Sequence, residues 1–396
     1  MAVVSLVKCS CYEQGDVEAA LAQSIENLGF SKDFFAGARV AVKPNLLTAA
    51  KDESGVITHP EFFRAAVRII KSGGGSPVLV ESPAVHSLAR VIKKTGYAKI
   101  IADEKIEVAD PAPVRTLYYA GARRFKYIDI SAAYFDADMI VALPKFKTHG
   151  ITYITGAVKL LFGAVPGLEK SKMHLRLPGH KDFAGFLLDL YEAMTFGFNP
   201  SKPIFYIMDA VTAMEGEGPG HGGRPRQMGA VLAGMDGVAV DYVAASVAGL
   251  DTGKAPTIVN GFERGCGAAG PQDIEVAGEL PANMQVVDFV PAAGDSYFSG
   301  SDRWPLNTKT FKDLFVERPV PRAGLCTLCY ECRKICPAGA IGASAGGKNI
   351  PEYDYAKCIR CYCCLEVCPE GAVEKKKGWL QRLFGKKAIM HGLTFF

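Results

Sequence analysis

No run of about 18 apolar residues occurs anywhere in these 396 residues, which argues against a membrane-spanning helix. Neither sign of charge dominates. Forty-five lysines and arginines oppose 41 aspartates and glutamates, a formal net charge of +4, so the strongly basic surface of a general nucleic-acid binder is missing, as is any recognised nucleic-acid motif. The glycine fingerprints of dinucleotide and ATP sites, G-x-G-x-x-G after a strand and the Walker A loop, are absent too. The first residues, Met1-Ala-Val-Val-Ser5, lack the charged-then-apolar pattern of a secretory leader, and the expected compartment is the cytoplasm. What the chain does have is 49% hydrophobic residues and a slightly positive mean hydropathy, enough for a well-buried core and no segment of disordered composition.

Cysteine is where the chain is rich. Two runs near the C-terminus, Cys326-Thr-Leu-Cys329-Tyr-Glu-Cys332-Arg-Lys-Ile-Cys336-Pro337 and Cys358-Ile-Arg-Cys361-Tyr-Cys-Cys364-Leu-Glu-Val-Cys368-Pro369, each read C-x2-C-x2-C-x3-C-P. That is the spacing of bacterial ferredoxins, in which three thiolates of a run hold one [4Fe–4S] cluster and the fourth crosses to the other. The expected ligand sets are Cys326, Cys329, Cys332 and Cys368 for one cluster, and Cys358, Cys361, Cys364 and Cys336 for the second. A zinc ribbon needs only two C-x2-C pairs, with no third cysteine and no C-P ending. Clusters and free thiols imply a reducing interior rather than a disulfide framework. They also bring oxygen sensitivity, which suits anaerobic metabolism. Cys363 lies off the ligand spacing, as a neighbour of the second cluster. Cys9, Cys11 and Cys266 read as small buried residues, or alternatively as transfer or sensing thiols.

Ahead of these runs the pattern alternates. Val3–Val7, Arg39–Lys43, Pro77–Glu81, Met139–Leu143, Pro203–Ala210 and Ala230–Met235 are short, apolar and β-branched, as strands buried on both faces are. Asp16–Leu28, Pro60–Lys71, Val85–Thr95, Phe183–Thr195 and Gly237–Ala248 carry helical periodicity, with Asp16 and Asp182 as expected N-caps and Gly29 and Gly73 as stops. The fold class is therefore α/β: a large domain (1–315) with a mostly parallel sheet and flanking helices, then a small α+β ferredoxin-like domain (316–375) entered through the proline-bearing connection 316–323. A basic amphipathic tail (376–396) follows, with Trp379, Leu380, Leu383 and Phe384 on one helical face. It reads as a peripheral contact with an anionic membrane surface, or as a helix docked on the protein's own body.

Polar residues gather at the strand ends. Lys43-Pro-Asn45 follows one strand and Lys145-Phe-Lys147-Thr-His149 another. Thr155-Gly-Ala-Val-Lys159, His174 and Glu215-Gly-Glu-Gly-Pro-Gly-His221 come later. Ligands in such sheets bind beyond the carboxyl ends of the strands, so these side chains are expected to share one crevice suited to a small anion. In that crevice Lys43, Asn45, Lys147, Lys159 and Glu215 would bind the substrate, and Lys145, His149 and His174 would do the chemistry. Histidine suits proton transfer because it titrates near neutrality. The glycines of 216–223 would let backbone amides approach the ligand. Asp209, Glu215 and His221 offer an alternative, a divalent-metal site. Each of these residues also has a structural reading: solvated lysines at strand ends, aspartate caps at Asp236 and Asp241, His59 as a cap and the glycine segment as a surface loop.

Lys43-Pro-Asn45, Thr58-His59-Pro60, Pro144-Lys-Phe-Lys-Thr-His149, Thr155-Gly-x-x-Lys159 and Asp209 with Glu215-Gly-x-Gly-Pro219 together resemble the domain-of-unknown-function 362 family, over roughly residues 1–300. The resemblance implies an α/β domain with a polar site, fused to a two-cluster ferredoxin module, and no settled substrate. One expectation is an iron–sulfur reductase fed by a partner ferredoxin or flavoprotein. Such clusters pass single electrons, so a two-electron reduction calls for a flavin, a further metal, or a substrate that accepts electrons singly. The alternative is a non-catalytic electron-transfer or metallocofactor-maturation protein whose α/β domain docks a partner.

Overall fold

The computed structural model describes residues 1–177, 179–292, 317–343 and 349–378. Its strands are β1 (Ala2–Lys8), β2 (Arg39–Pro44), β3 (Ser76–Leu79), β4 (Glu107–Val108), β5 (Val114–Tyr118), β6 (Tyr127–Ser131), β7 (Met139–Leu143), β8 (Lys145–His149), β9 (Tyr153–Thr155), β10 (Ile204–Gly216), β11 (Gly223–Gly234) and β12 (Ile274–Gly278). The C-terminal module adds β13 (Arg318–Pro321), β14 (Ile341–Gly342), β15 (Glu352–Tyr353) and β16 (Val373–Lys376). Helices are α1 (Gln14–Asn27), α2 (Pro60–Ser72), α3 (Leu88–Lys93), α4 (Tyr97–Asp103), α5 (Ala157–Leu160), α6 (Glu169–Arg176), α7 (His180–Phe196), α8 (Gly237–Val247), α9 (Pro256–Arg264), α10 (Glu331–Ile335) and α11 (Cys363–Val367).

The main sheet runs β12-β1-β11-β10-β7-β2-β3-β4, with β8 beside the far half of β10 and β9 on β8. Its continuous parallel part is β10, β7, β2, β3 and β4. The expected strand 230–235 is the end of β11, which runs antiparallel to both β10 and β1. Two apolar cores flank the sheet. Phe62, Phe63 and Val67 of α2 pack with Leu21 of α1 on one face, while Leu187, Leu190 and Met194 of α7 pack with Val243 of α8 on the other. Strands buried on both sides explain the near-continuous apolar runs of β2 and β7.

Several expectations need correction. Glu13 and Gly179, not Asp16 and Asp182, stand at the N-caps, and the two aspartates fall in the first turn, where their charge meets the positive helix end. Asp236 does cap α8, accepting from Val238 N and Ala239 N, and His59 Nδ1 accepts from Glu61 N at 3.2 Å at the start of α2. The connection read at 316–323 contains a strand instead: β13 pairs antiparallel with β16 and ties the module's two ends together. The tail residues Trp379 to Phe396 lie outside the described residues. Among the described residues no helix is long and apolar enough to cross a membrane.

Candidate functional site

Pro144 has no amide hydrogen and sits at the break between β7 and β8. Past that break the chain moves along the distal part of β10, with Lys145 opposite Asp209 and Lys147 opposite Met214. The polar residues read from sequence as following the strand end form a buried strand themselves. After β9, Asp241 accepts from Ala157 N at 2.5 Å and Val158 N at 3.1 Å, which fixes the start of α5. Gly156 permits this contact, since a Cβ there would meet Asp241 Oδ1 at 2.0 Å. Thr155 and Lys159 are thereby set in place.

These elements enclose a cavity of about 90 Å³. The α/β domain lines it with Lys43, Asn45, Glu81, Thr155, Lys159, Lys170, Ser171 and His174, and the C-terminal module covers it with Ile335, Cys363, Glu366 and Val367. Lys43 and Glu81 form a buried ion pair at 2.8 Å. Gly163 leaves room for it, because a Cβ there would meet Lys43 Nζ at 2.2 Å. Lys170 donates to the Ser82 carbonyl, and burial, only partly offset by Glu81, pulls its pKa down to about 7. Burial also draws Lys159 below the ordinary lysine range, against the opposing pull of Glu366. The same penalty lowers His174 to about 4, so it is neutral at physiological pH.

Glu366 of α11 reaches into this group from the module. Its carboxylate lies 3.4 Å from His149 Nε2. His149 Nδ1 accepts from Ile151 N at 2.9 Å and Thr152 N at 3.3 Å, so the ring proton sits on Nε2, facing the carboxylate. Burial lowers His149 to about 3 and keeps it neutral. Burial would raise Glu366, but His149 and Lys159 outweigh it and hold the carboxyl well below its usual range.

Of the residues expected to share a crevice, Lys43, Asn45, Lys159 and His174 line this cavity. Lys147 stands behind it, donating to Asn45 Oδ1 at 3.3 Å and to the Val56 carbonyl at 2.8 Å, and burial lowers its pKa to about 7. His149 joins through Glu366. Lys145 and Glu215 are not brought to it. Lys145 is spent on Asp209 at 2.8 Å and on the Tyr12 hydroxyl at 2.7 Å, while Glu215 pairs with Arg224 at 2.7 Å and accepts from Val290 N. Asp209 also accepts from Tyr12 and from His59 N, and it lies six residues from Glu215 along extended β10, ~20 Å of strand, so the divalent site suggested with His221 is not assembled.

The glycines of 216–223 serve a different contact from the one expected. A Cβ at Gly220 would press on Leu365 O at 3.2 Å and on Glu366 Cα at 3.3 Å, so Gly220 lets α11 approach the segment closely. Beside it Lys375 pairs with Glu217 at 2.6 Å, and His86 faces Glu331 of α10 at 3.8 Å. Sequence reasoning missed Glu81, Lys170 and Glu366. Glu81 stood at a strand end and was findable there. Glu366 was hidden inside a cysteine run, and Lys170 carried no signal.

Among the described residues no three His, Cys, Asp or Glu converge as a single bound ion requires. The thiols ring two wider spaces instead. Cys326, Cys329, Cys332 and Cys368 line one, and Cys336, Cys358, Cys361 and Cys364 line the other, with Cys363 beside them. Leu328, Tyr330, Arg360 and Tyr362 adopt left-handed φ of 56 to 59°, at matching positions of the two runs. Each costs a non-glycine residue about 1–2 kcal/mol, and the same strained curl recurs in both runs. Ala340 N donates to Cys336 Sγ at 3.3 Å and Ala372 N to Cys368 Sγ at 3.1 Å, again in parallel. Thiol donors and hydrogen-bonded sulfurs around a space fit iron–sulfur clusters.

Fold and thiols together define an iron–sulfur protein, an α/β domain joined to a ferredoxin-type module. A family model described as a 4Fe-4S dicluster domain matches residues 325–373, and one described as a domain of unknown function (DUF362) matches residues 40–246. The chain belongs to the DUF362 family. It is 33% identical over 257 residues to the thylakoid-associated protein sll1697 of Synechocystis sp., across 64% of this chain and 77% of that protein. Solved structures resemble it loosely. A Thermotoga maritima protein matches with TM-score 0.38 and 12% identity over 61% of this chain and 60% of its own. The lactate racemase apoprotein of Thermoanaerobacterium thermosaccharolyticum matches with TM-score 0.37 and 13% identity over 61% of this chain. This chain spans 57% of the racemase, and so under two thirds of either structure.

Proposed function

We propose that this chain is an iron–sulfur oxidoreductase that delivers electrons through two [4Fe–4S] clusters to a small anion held in the cavity beneath α11. The ligand sets are Cys326, Cys329, Cys332 and Cys368 for one cluster, and Cys358, Cys361, Cys364 and Cys336 for the other. The observation that carries the reading is the position of Cys363, which lines both the lysine cavity and the second thiol-ringed space. It is the one residue common to both linings. When bound, such clusters supply electrons singly.

The chain's own residues do the rest. Lys159 has no hydrogen-bond partner among the described residues and supplies the charge that holds the anion. Lys170, poised near neutrality, is the better proton donor, because a group of pKa about 7 gives up a proton readily at working pH. Neutral His174 orients the bound molecule, and His149 positions Glu366. Electrons enter from a reduced ferredoxin or flavoprotein docking on the module. The basic tail, together with the thylakoid association of the related protein, supports a membrane surface as the place of that encounter.

The test begins with anaerobically loaded protein, for which we expect about eight irons per chain. Cys368→Ser should disturb the cluster of the first run, although Cys368 lies in the second. Reduced protein, freed of reductant, is then mixed with a panel of small oxo-anions. Saturable cluster oxidation by at least one of them, slowed tenfold or more in Lys159→Met at unchanged iron content, supports the reading. Oxidation by protein partners alone makes the chain a carrier.

A further inference from the structure

Resting on the cavity as an anion site, we infer that its ligand is a small monocarboxylate bearing a second oxygen function, and that dianions are excluded. The charges lining the cavity decide this. Lys43 and Lys159 face Glu81 and Glu366, and Lys170 adds a third ammonium once an anion has drawn a proton onto it, so the cavity offers at most one net positive charge to a ligand. Lys43 is already matched to Glu81, and Glu366 stands across from Lys159 on the module side. One carboxylate neutralises the remainder. A second brings uncompensated negative charge beside the largely buried Glu366, where such an encounter is expensive.

The neutral lining points to the second oxygen. The Thr155 hydroxyl is buried, faces this cavity and has no hydrogen-bond partner. A buried hydroxyl left so is costly, and a ligand oxygen would recover that cost. Lys147 donates to Asn45 Oδ1, which leaves the amide N–H groups of Asn45 uncommitted at the cavity wall. Together this amide and the Thr155 hydroxyl suit a carbonyl or hydroxyl on the neighbouring carbon. The volume of about 90 Å³ holds several water-sized volumes, enough for a molecule of this size.

The experiment is anaerobic calorimetric titration of the cluster-loaded full chain with two probes of similar size, pyruvate as monoanion and malonate as dianion, at pH 7.5. Pyruvate should bind at least tenfold more tightly. Glu366→Gln raises the cavity charge by one and should bring malonate level with pyruvate or past it, while Lys159→Met should lose pyruvate at least tenfold. Iron content and the reduced-state EPR spectrum verify that each variant keeps its clusters. Malonate binding more tightly than pyruvate in the unaltered protein overturns the monocarboxylate and leaves the anion site standing. If neither anion binds at full cluster occupancy, the anion site itself is wrong.

Discussion

Lys43 and Glu81 are both buried and only 2.8 Å apart, so each is tolerable because of the other. Glu81→Gln strands the ammonium and should cost about 3–5 kcal/mol, read as a lower denaturant midpoint; Lys43→Met combined with Glu81→Gln should recover most of it. Lys170 sets a second expectation. Its pKa of about 7 reflects burial, and an anion stabilises its charged form. Below pH 7 the proton is already in place and anion affinity should be flat. Above pH 7 it must be taken up on binding, so affinity should fall by up to tenfold per unit. Lys170→Gln should abolish that slope, and an unchanged profile in calorimetry would show that another group titrates.

Among the elements, α11 joins the two chemistries, because its short length carries Cys363, Cys364 and Glu366 together. It is seated by the glycine segment after β10. Gly220→Val would drive a side chain into Leu365 O and Glu366 Cα, displacing α11 and opening the cavity. Calorimetry of loaded protein should then show two unfolding transitions in place of one, and an unchanged single transition would mean the segment does not hold the module. The elements also show what could be read from sequence. β7 was legible to the residue, since Met-Ile-Val-Ala-Leu is apolar throughout. Cysteine spacing likewise gave the module, as local chemistry. β8 was not legible, because its lysines and histidine look like a loop until Asp209, Val56 and Glu366 are seen to compensate them. The role of the 216–223 glycines depended on a partner about 145 residues away, which no local pattern records.

At the scale of the whole molecule, the α/β domain supplies the floor of the cavity and the module its ceiling. Neither domain encloses it alone: Lys159 and Lys170 come from one, Cys363 and Glu366 from the other. This arrangement explains why a ferredoxin-type module is fixed to the large domain by Glu366 against His149, Lys375 against Glu217 and the apolar contact of Ala84 with Ile335 and Val367. Under the proposed function the substrate must lie against a cluster, whereas a carrier would expose one. The most direct test is therefore one of proximity. Pulsed electron–nuclear double resonance on reduced, cluster-loaded protein with pyruvate labelled with carbon-13 at the carboxylate should resolve a hyperfine coupling that disappears in Lys159→Met. Pyruvate that binds, as calorimetry reports, yet shows no coupling would place the anion away from the clusters and contradict the shared wall on which the proposed function rests.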